Sequence, residues 1–301
     1  MAYLGGKTIG NRFGGYMLIF NKDKKFDLAK NNPYIYTKDK PFIKQLFDTA
    51  SKIDFGKVGR SEMYLYGDES FPRCTSVLQM DGTKAGALME WAKRETVAKM
   101  KDMLSIFTDK PLSVADIEDI ATKSLGEADR QRDEAADTGT DTHDNIEHWL
   151  NGESYREDYR LSKFIDIWNK ENVELVCTEL PILFKSGVAD NIFGYGGRLD
   201  ILAYKDGKYI IYDIKTSKSV HQGYALQVAA YRAAVEQMSN HHIEISTAKI
   251  IHLPDESKLS ATQAKAYAKL GNLVEIKNLG KAFNHYMVLL DQYYMRNEKY
   301  F

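Results

Sequence analysis

Cysteine is nearly missing from this 301-residue chain: only Cys74 and Cys177 occur. Two thiols make no disulfide framework, and they fit a reducing compartment. They also fall short of the four normally needed to hold an iron–sulfur cluster. Long apolar runs are absent too. None approaches the ~18 residues that span a bilayer, so no membrane segment is expected. The opening MAYLGGKTIG has no charged head followed by an apolar stretch, so no secretory leader is expected and a cytoplasmic setting is. Net charge is missing as well: 41 Lys and Arg balance 42 Asp and Glu, a net of −1. That argues against a polybasic coat for nucleic acid but not against an enzyme acting on DNA, because a local field matters more than the sum. There is no internal repeat, and the phosphate-loop pattern GxxxxGK[ST] is lacking. With 44% hydrophobic residues, a chain of this length buries a core in one large or two modest domains.

What is there is unevenly placed. Residues 1–70 hold 12 basic and 8 acidic side chains, a net of +4, whereas residues 113–160 hold 5 basic and 14 acidic, a net of −9. The acidic block fits either a cation site or a solvated helix face. The first 70 residues, rich in Gly, Lys and aromatics (GGYMLIF, NPYIYTKDKPF, EMYLYGDES), read as strands and turns. Their charge and aromatics fit a DNA-approach surface, or a β-rich cap packed on the core. From about Thr75 helical spacing takes over, with Leu88, Trp91, Ala92 and Met100 as one apolar stripe. A second helix follows, with Ser113 as its N-cap, then a separate one over THDNIEHWLNGE, then another over YREDYRLSKFIDIWNKEN. VELVCTELPILF and residues 197–216 alternate like strands, and YALQVAAYRAAVEQM, ATQAKAYAKLGNL and KAFNHYMVLLDQYYMRN read as helices around the strand TAKIIHL. The expected fold is α/β: a central mixed β-sheet flanked by helices, with an N-terminal β-rich and helical extension. The expected division is residues 1–72 as extension and 73–301 as one domain with a helical insertion.

The informative stretch is GGRLDILAYKDGKYIIYDIKTSK, residues 196–218. Asp206-Gly207 between two alternating apolar runs signals a two-residue hairpin. That register pairs Lys205 with Lys208 and sets Asp200 opposite Asp213, with Cβ atoms about 4.5–5.5 Å apart. Lys215, two residues on, projects from the same face. Facing carboxylates repel unless a cation compensates, and an oxygen-rich site suits Mg²⁺ or Mn²⁺. A nearby lysine then helps to position a water or to stabilise a phosphoryl transition state. The same spacing equally fits a surface hairpin with Ile201, Ala203, Ile210, Tyr212 and Ile214 on the core and the charges in water. Downstream, Gln227 and Tyr231 share one helix face, with Tyr224 near the same stripe. Upstream, His143 and Glu147 are four apart on a helix, and both side chains are usable metal ligands. His148 points elsewhere and reads as surface.

In order, these segments resemble the RecB-type branch of the PD-(D/E)xK nuclease superfamily, closest to phage and prophage exonucleases. The motifs stand here as Gly139-Thr140…His143…Glu147, Gly197-Arg198-Leu199-Asp200, Asp213-Ile214-Lys215 and Gln227…Tyr231, preceded by FPRCTSVLQMDGTKAGALMEWA at 71–92. The resemblance covers about residues 71–235. It implies a restriction-endonuclease-like core with His143, Asp200, Asp213 and the Ile214 carbonyl as metal ligands, and Glu147 as a further acid. Lys215 would act on the attacking water, and Gln227 and Tyr231 would lie beside the active site. Glu179 stands where the family often has an acidic strand residue, and Thr216 continues a DxKT pattern.

The activity so implied is a Mg²⁺- or Mn²⁺-dependent DNA exonuclease working on linear ends. The setting would be phage or prophage recombination in the bacterial cytoplasm. Its partners would be DNA and a single-strand annealing or recombination protein, with homo-oligomers known in the family. An iron–sulfur cluster, which a related branch holds with four cysteines, is not expected. Two other readings stay open at this point: a non-catalytic DNA-binding or assembly module with a nuclease fold, and a restriction-type endonuclease.

Overall fold

The computed structural model describes residues 7–13, 16–21, 41–107, 111–188 and 191–297. These form two compact units, residues 1–80 with 142–301 and residues 81–141. The NPYIYTKDKPF stretch falls almost wholly outside the described residues.

The larger unit holds two five-stranded sheets. The first is a meander of neighbouring strands: β1 (Lys7–Phe13), β2 (Tyr16–Asn21), β3 (Asp54–Val58), β4 (Ser61–Tyr66) and β5 (Glu69–Pro72). Between β2 and β3 lies α1 (Pro41–Ala50), a helix where strands and turns were expected. Its reason was in the sequence: Ile43, Leu46, Phe47 and Ala50 fall at i, i+3, i+4 and i+7 and are all buried. Pro41 suits the first helical position. A short helix, α2 (Cys74–Val77), follows β5.

The second sheet is mixed and has the order β10-β9-β8-β7-β6, with β6 (Glu174–Val188), β7 (Asn191–Lys205), β8 (Lys208–Lys215), β9 (Ile245–His252) and β10 (Leu273–Glu275). Among the described strands of this sheet, only β8 and β9 pair in parallel. They are joined by a crossover through α6 (Gln222–Met238). One apolar cluster joins Leu202, Ile211 and Ile250 of the sheet to Leu226, Val228 and Val235 of α6 and to Tyr286 and Leu290 of α8 (Leu279–Asn297). The same cluster takes in Phe47, Tyr64 and Phe71, so the first sheet and α1 share this core. A second cluster packs Ile201, Tyr212 and Ile214 against Leu161, Phe164 and Trp168 of α5 (Tyr159–Glu171). The remaining helix of this unit, α7 (Ala261–Leu270), starts with a capping box between Ser260 and Gln263.

The smaller unit is helical: α3 (Gly82–Leu104) and the first part of α4 (Val114–Leu150). Ser113 does open α4, exchanging hydrogen bonds with Asp116. The two helices expected over 113–152 are one: α4 runs unbroken through Gly139. No proline interrupts it, and its acidic and basic side chains fall at helical spacing, as in Lys123–Asp119 and Arg130–Glu134. The expected apolar stripe of α3 does not form a buried face, since Leu88 and Met100 are both exposed. With so few turns packed together, this unit lacks the depth to cover it.

Candidate active site

The hairpin sets the geometry. Asp206 and Gly207 both adopt positive φ (50° and 84°), as a two-residue turn twisted with its strands requires. Lys205 pairs with Lys208, and the ladder runs to Ile201–Tyr212. It stops one step short of Asp200 and Asp213. There the Asp200 carboxylate takes over, accepting from the Ile214 N–H at 2.7 Å. The charged face is not in water: Asp213 is fully buried, Asp200 is buried, and the Lys215 side chain is 16% exposed. The surface-hairpin reading therefore fails.

The C-terminal part of α4 brings His143 to these strands. Its Nε2 lies 3.0 Å from the Ile214 carbonyl oxygen, and its Nδ1 lies 3.6 Å from Asp200 Oδ2. Asn145 fixes the neighbouring loop by bonding Arg156 both ways, accepting from its N–H and donating to its carbonyl.

Glu179 completes the group. Pairs Thr178–Ile201 and Leu180–Leu199 flank it, so it stands across from Asp200. Its φ of 48° is rare for a non-glycine residue and marks a local distortion of β6. Ligand atoms of His143, Glu179 and Asp200 lie within 4.8 Å of one another. A small, open cleft lies beside them, lined also by Glu147, Thr178 and Ile214. Glu147 lies on its wall, with Thr178 Oγ1 donating to it at 3.4 Å. Asp213 stands apart from the three-residue group and faces Lys215, whose Nζ is 2.5 Å from Oδ2.

Electrostatics mark the same place. Burial pushes the Glu179 carboxyl up to about 8, with the Asp200 charge adding to it and Arg198 opposing. Burial likewise pushes Asp213 up to about 6 against the pull of Lys215, with Asp200 raising it further. For Lys215, burial works against the charge, but Asp213 and Asp200 outweigh it and the ammonium is held above its ordinary range. Its two carboxylate neighbours thus favour the charged, donating form of Lys215. Neither oxygen of buried Asp213 takes a hydrogen bond of good direction. A buried carboxylate whose one close partner is Lys215, beside an imidazole, two further carboxylates and a carbonyl oxygen, is a donor set that suits a divalent cation.

Gln227 donates to the Tyr231 hydroxyl at 2.8 Å, and both are buried. Tyr231 lies under β7 at Gly197, where a Cβ would come within 2.7 Å of its ring. Tyr224 was left unassigned by the motifs. Its hydroxyl donates to Ser217 at 2.8 Å, and its ring centre is 5.2 Å from Lys215 Nζ. His148 is at the surface near Glu153.

The family model of the PD-(D/E)XK nuclease superfamily matches residues 94–289, a span that contains every one of these site residues. This chain belongs to the PD-(D/E)XK nuclease superfamily. The mixed sheet flanked by helices is the restriction-endonuclease-like core of that superfamily. Among solved structures, the crystal structure of SSO0001 is similar at 16% identity and a TM-score of 0.29, over 46% of this chain and 58% of that one. No curated protein matches. PD-(D/E)XK nucleases use divalent metals, and the acidic group around Asp200 is where this member would hold one. Among the described residues, no helix is long and apolar enough to cross a membrane.

Proposed function

We propose that this PD-(D/E)XK nuclease is a Mg²⁺- or Mn²⁺-dependent deoxyribonuclease that digests linear DNA from its ends, in phage or prophage recombination or DNA processing in a bacterial cytoplasm. The observation that carries the reading is the buried Asp213–Lys215 pair set beside His143, Glu179 and Asp200. His143, Asp200, Asp213, Glu147 and the Ile214 carbonyl are the proposed cation ligands, and the cross-strand position of Glu179 adds it to them. The bound cation supplies Lewis acidity toward phosphate and water.

The chain's own residues do the rest. In the reaction, water adds to phosphorus and one P–O ester bond breaks, leaving an alcohol and a phosphate monoester. Lys215, charged and nearly buried, donates to the attacking water or a phosphate oxygen, where a preorganised donor in a low-dielectric site counts most. Asp213 holds that ammonium in place. Gln227 and Tyr231 support β7 from beneath through Gly197, and Tyr224 flanks the lysine.

The test is release of nucleotides from linear duplex DNA with Mg²⁺ or Mn²⁺, beside Asp213→Ala and Lys215→Ala. Wild type is expected to degrade linear DNA and spare covalently closed circles. Equal activity in wild type and both variants sinks the assignment. Cutting of closed circles at the linear rate makes it an endonuclease, and DNA binding without cation-dependent cleavage makes it a binding module.

A further inference from the structure

The first sheet meets β7 at its glycines. A Cβ on Gly196 would sit 2.3 Å from the Tyr64 side chain, and Arg73 forms a parallel bridge with Gly196. Arg73 and Tyr64 are therefore fixed against the strand that carries Asp200. Arg198, two residues beyond Gly196 and two before Asp200, follows on that strand. Burial pushes the Tyr64 phenol up to about 12, and the two cations pulling against it are Arg198 and Arg73, so one hydroxyl feels both guanidinium groups.

Each arginine leans on a glutamate. Arg198 Nη1 is 3.4 Å from Glu179 Oε2, with the side chains about a quarter exposed, and Arg73 pairs with Glu62 at still greater exposure. The exposed Arg73–Glu62 pair is weak, and the Arg198–Glu179 contact is long for an ion pair, so both yield to a better partner. A phosphate is that partner, because it takes the planar guanidinium fork bidentately and with charge assistance. Glu179 also belongs to the group with His143 and Asp200. One carboxylate thus separates the arginines from the reacting centre. Two residues of strand, about 7 Å, lie between Arg198 and Asp200, the scale of one nucleotide step.

We propose that Arg198 and Arg73 form a clamp for a backbone phosphate of the DNA strand, next to the phosphate that is cut. The clamp rests on the nucleic-acid reading above and deepens it. It lies at the seam between the first sheet and β7, which gives the N-terminal strands a part in substrate binding.

The test measures binding of a labelled linear duplex over a series of NaCl concentrations, in a Lys215→Ala background with divalent cations chelated, so that the duplex is not digested. Adding Arg73→Ala and Arg198→Ala is expected to weaken binding at least 10-fold at 0.1 M salt. It should also flatten the slope of log affinity against log salt by about 1, the share of one phosphate. Arg198→Lys keeps the charge and folds under the same constraints, so it should keep its share of the slope while losing affinity through the lost fork. With Lys215 and the divalent cation restored, Arg198→Lys should raise KM more than it lowers kcat. The losses should be the same for duplexes with phosphorylated and hydroxyl ends. A slope unchanged in the double variant overturns the clamp while wild type still binds and cleaves. A loss confined to phosphorylated ends overturns it in favour of a terminal-phosphate pocket. If wild type neither binds nor cleaves DNA, the nuclease reading fails with it.

Discussion

In the unit that holds the site, Ile201, Ile214 and Ile250 are at most 2% exposed; in residues 81–141, Leu88, Ile106, Val114 and Leu125 are more than half exposed. Both regions look helical or stranded by local spacing, yet different forces hold them. Around the site, apolar clusters on both sheet faces tolerate a buried carboxylate pair. In the helical unit, short-range pairs such as Lys93–Glu90, Lys123–Asp119 and Arg130–Glu134 line the surface, each a weak, water-screened contact. One link between its helices is polar, Gln131 donating to Glu95 at 3.0 Å, and Ile120 is its one buried large apolar side chain among the described residues. Periodicity reports which residues share a face, and it does not report whether anything covers that face.

The comparison breaks first at the chemistry. Lys215→Ala should lower kcat by about 10²–10³-fold, as loss of a preorganised donor does, and chelation of divalent cations should remove activity altogether. No truncation of an exposed residue in 81–141 should come near that in a nucleotide-release assay. A Lys215→Ala enzyme as active as wild type would place the centre elsewhere.

Glycine substitutions sharpen the contrast. Gly197→Ala forces a Cβ to within 2.7 Å of the Tyr231 ring and 3.0 Å of Ile182. We expect a loss of about 1–3 kcal/mol from overpacking, read by thermal melting. Gly126→Ala lies inside α4 with no atom within 4 Å of its new Cβ, so it should instead raise stability by about 0.5–1 kcal/mol. Equal signs at the two sites would erase the difference between the units.

Proton linkage gives a smaller effect of predictable sign. Glu179 has an ordinary value of 4.5 and is pushed up to about 8 in the fold. Between those values the folded chain holds a proton that the unfolded chain has lost. The metal-free protein therefore loses stability from this group as pH rises from 4.5, until the folded carboxyl ionises near 8. Metal-free Glu179→Gln should melt higher than wild type at pH 8 and match it near pH 4.5. An equal gap at both pH values would contradict the shift. The smallest expected effect is Leu125→Ser, at 71% exposure, which should fall within about 0.5 kcal/mol of wild type.

Local rules were enough for some features. Asp206-Gly207 dictated its own turn and, through it, the register of Asp200 and Asp213. Ser113 announced the start of α4. Other features need the whole chain. The apolar pattern of α1 was present but hidden in a segment dominated by glycine, lysine and aromatics. The place of Glu179 beside Asp200 depends on the β6–β7 register and on a positive φ, neither of which its own strand states. The motif order picked out His143, Asp200, Asp213 and Lys215. Arg198 passed unremarked inside its own motif, because the role proposed for it depends on Tyr64 and Arg73, more than 120 residues earlier in the chain.

The two cysteines have one further consequence. Both are buried, and burial pushes the Cys74 thiol up to about 12 and raises Cys177 as well. Neither offers a thiolate to an alkylating reagent while the fold is closed. Cys177 sits in β6 two residues before Glu179, inside the apolar cluster shared with α6 and α8, so its labelling must wait for that core to open. The rate at which it reacts is then a clock on the opening of the core under the catalytic sheet, built in without engineering. A bound cation or DNA strand that holds β6 and β7 together should slow that clock.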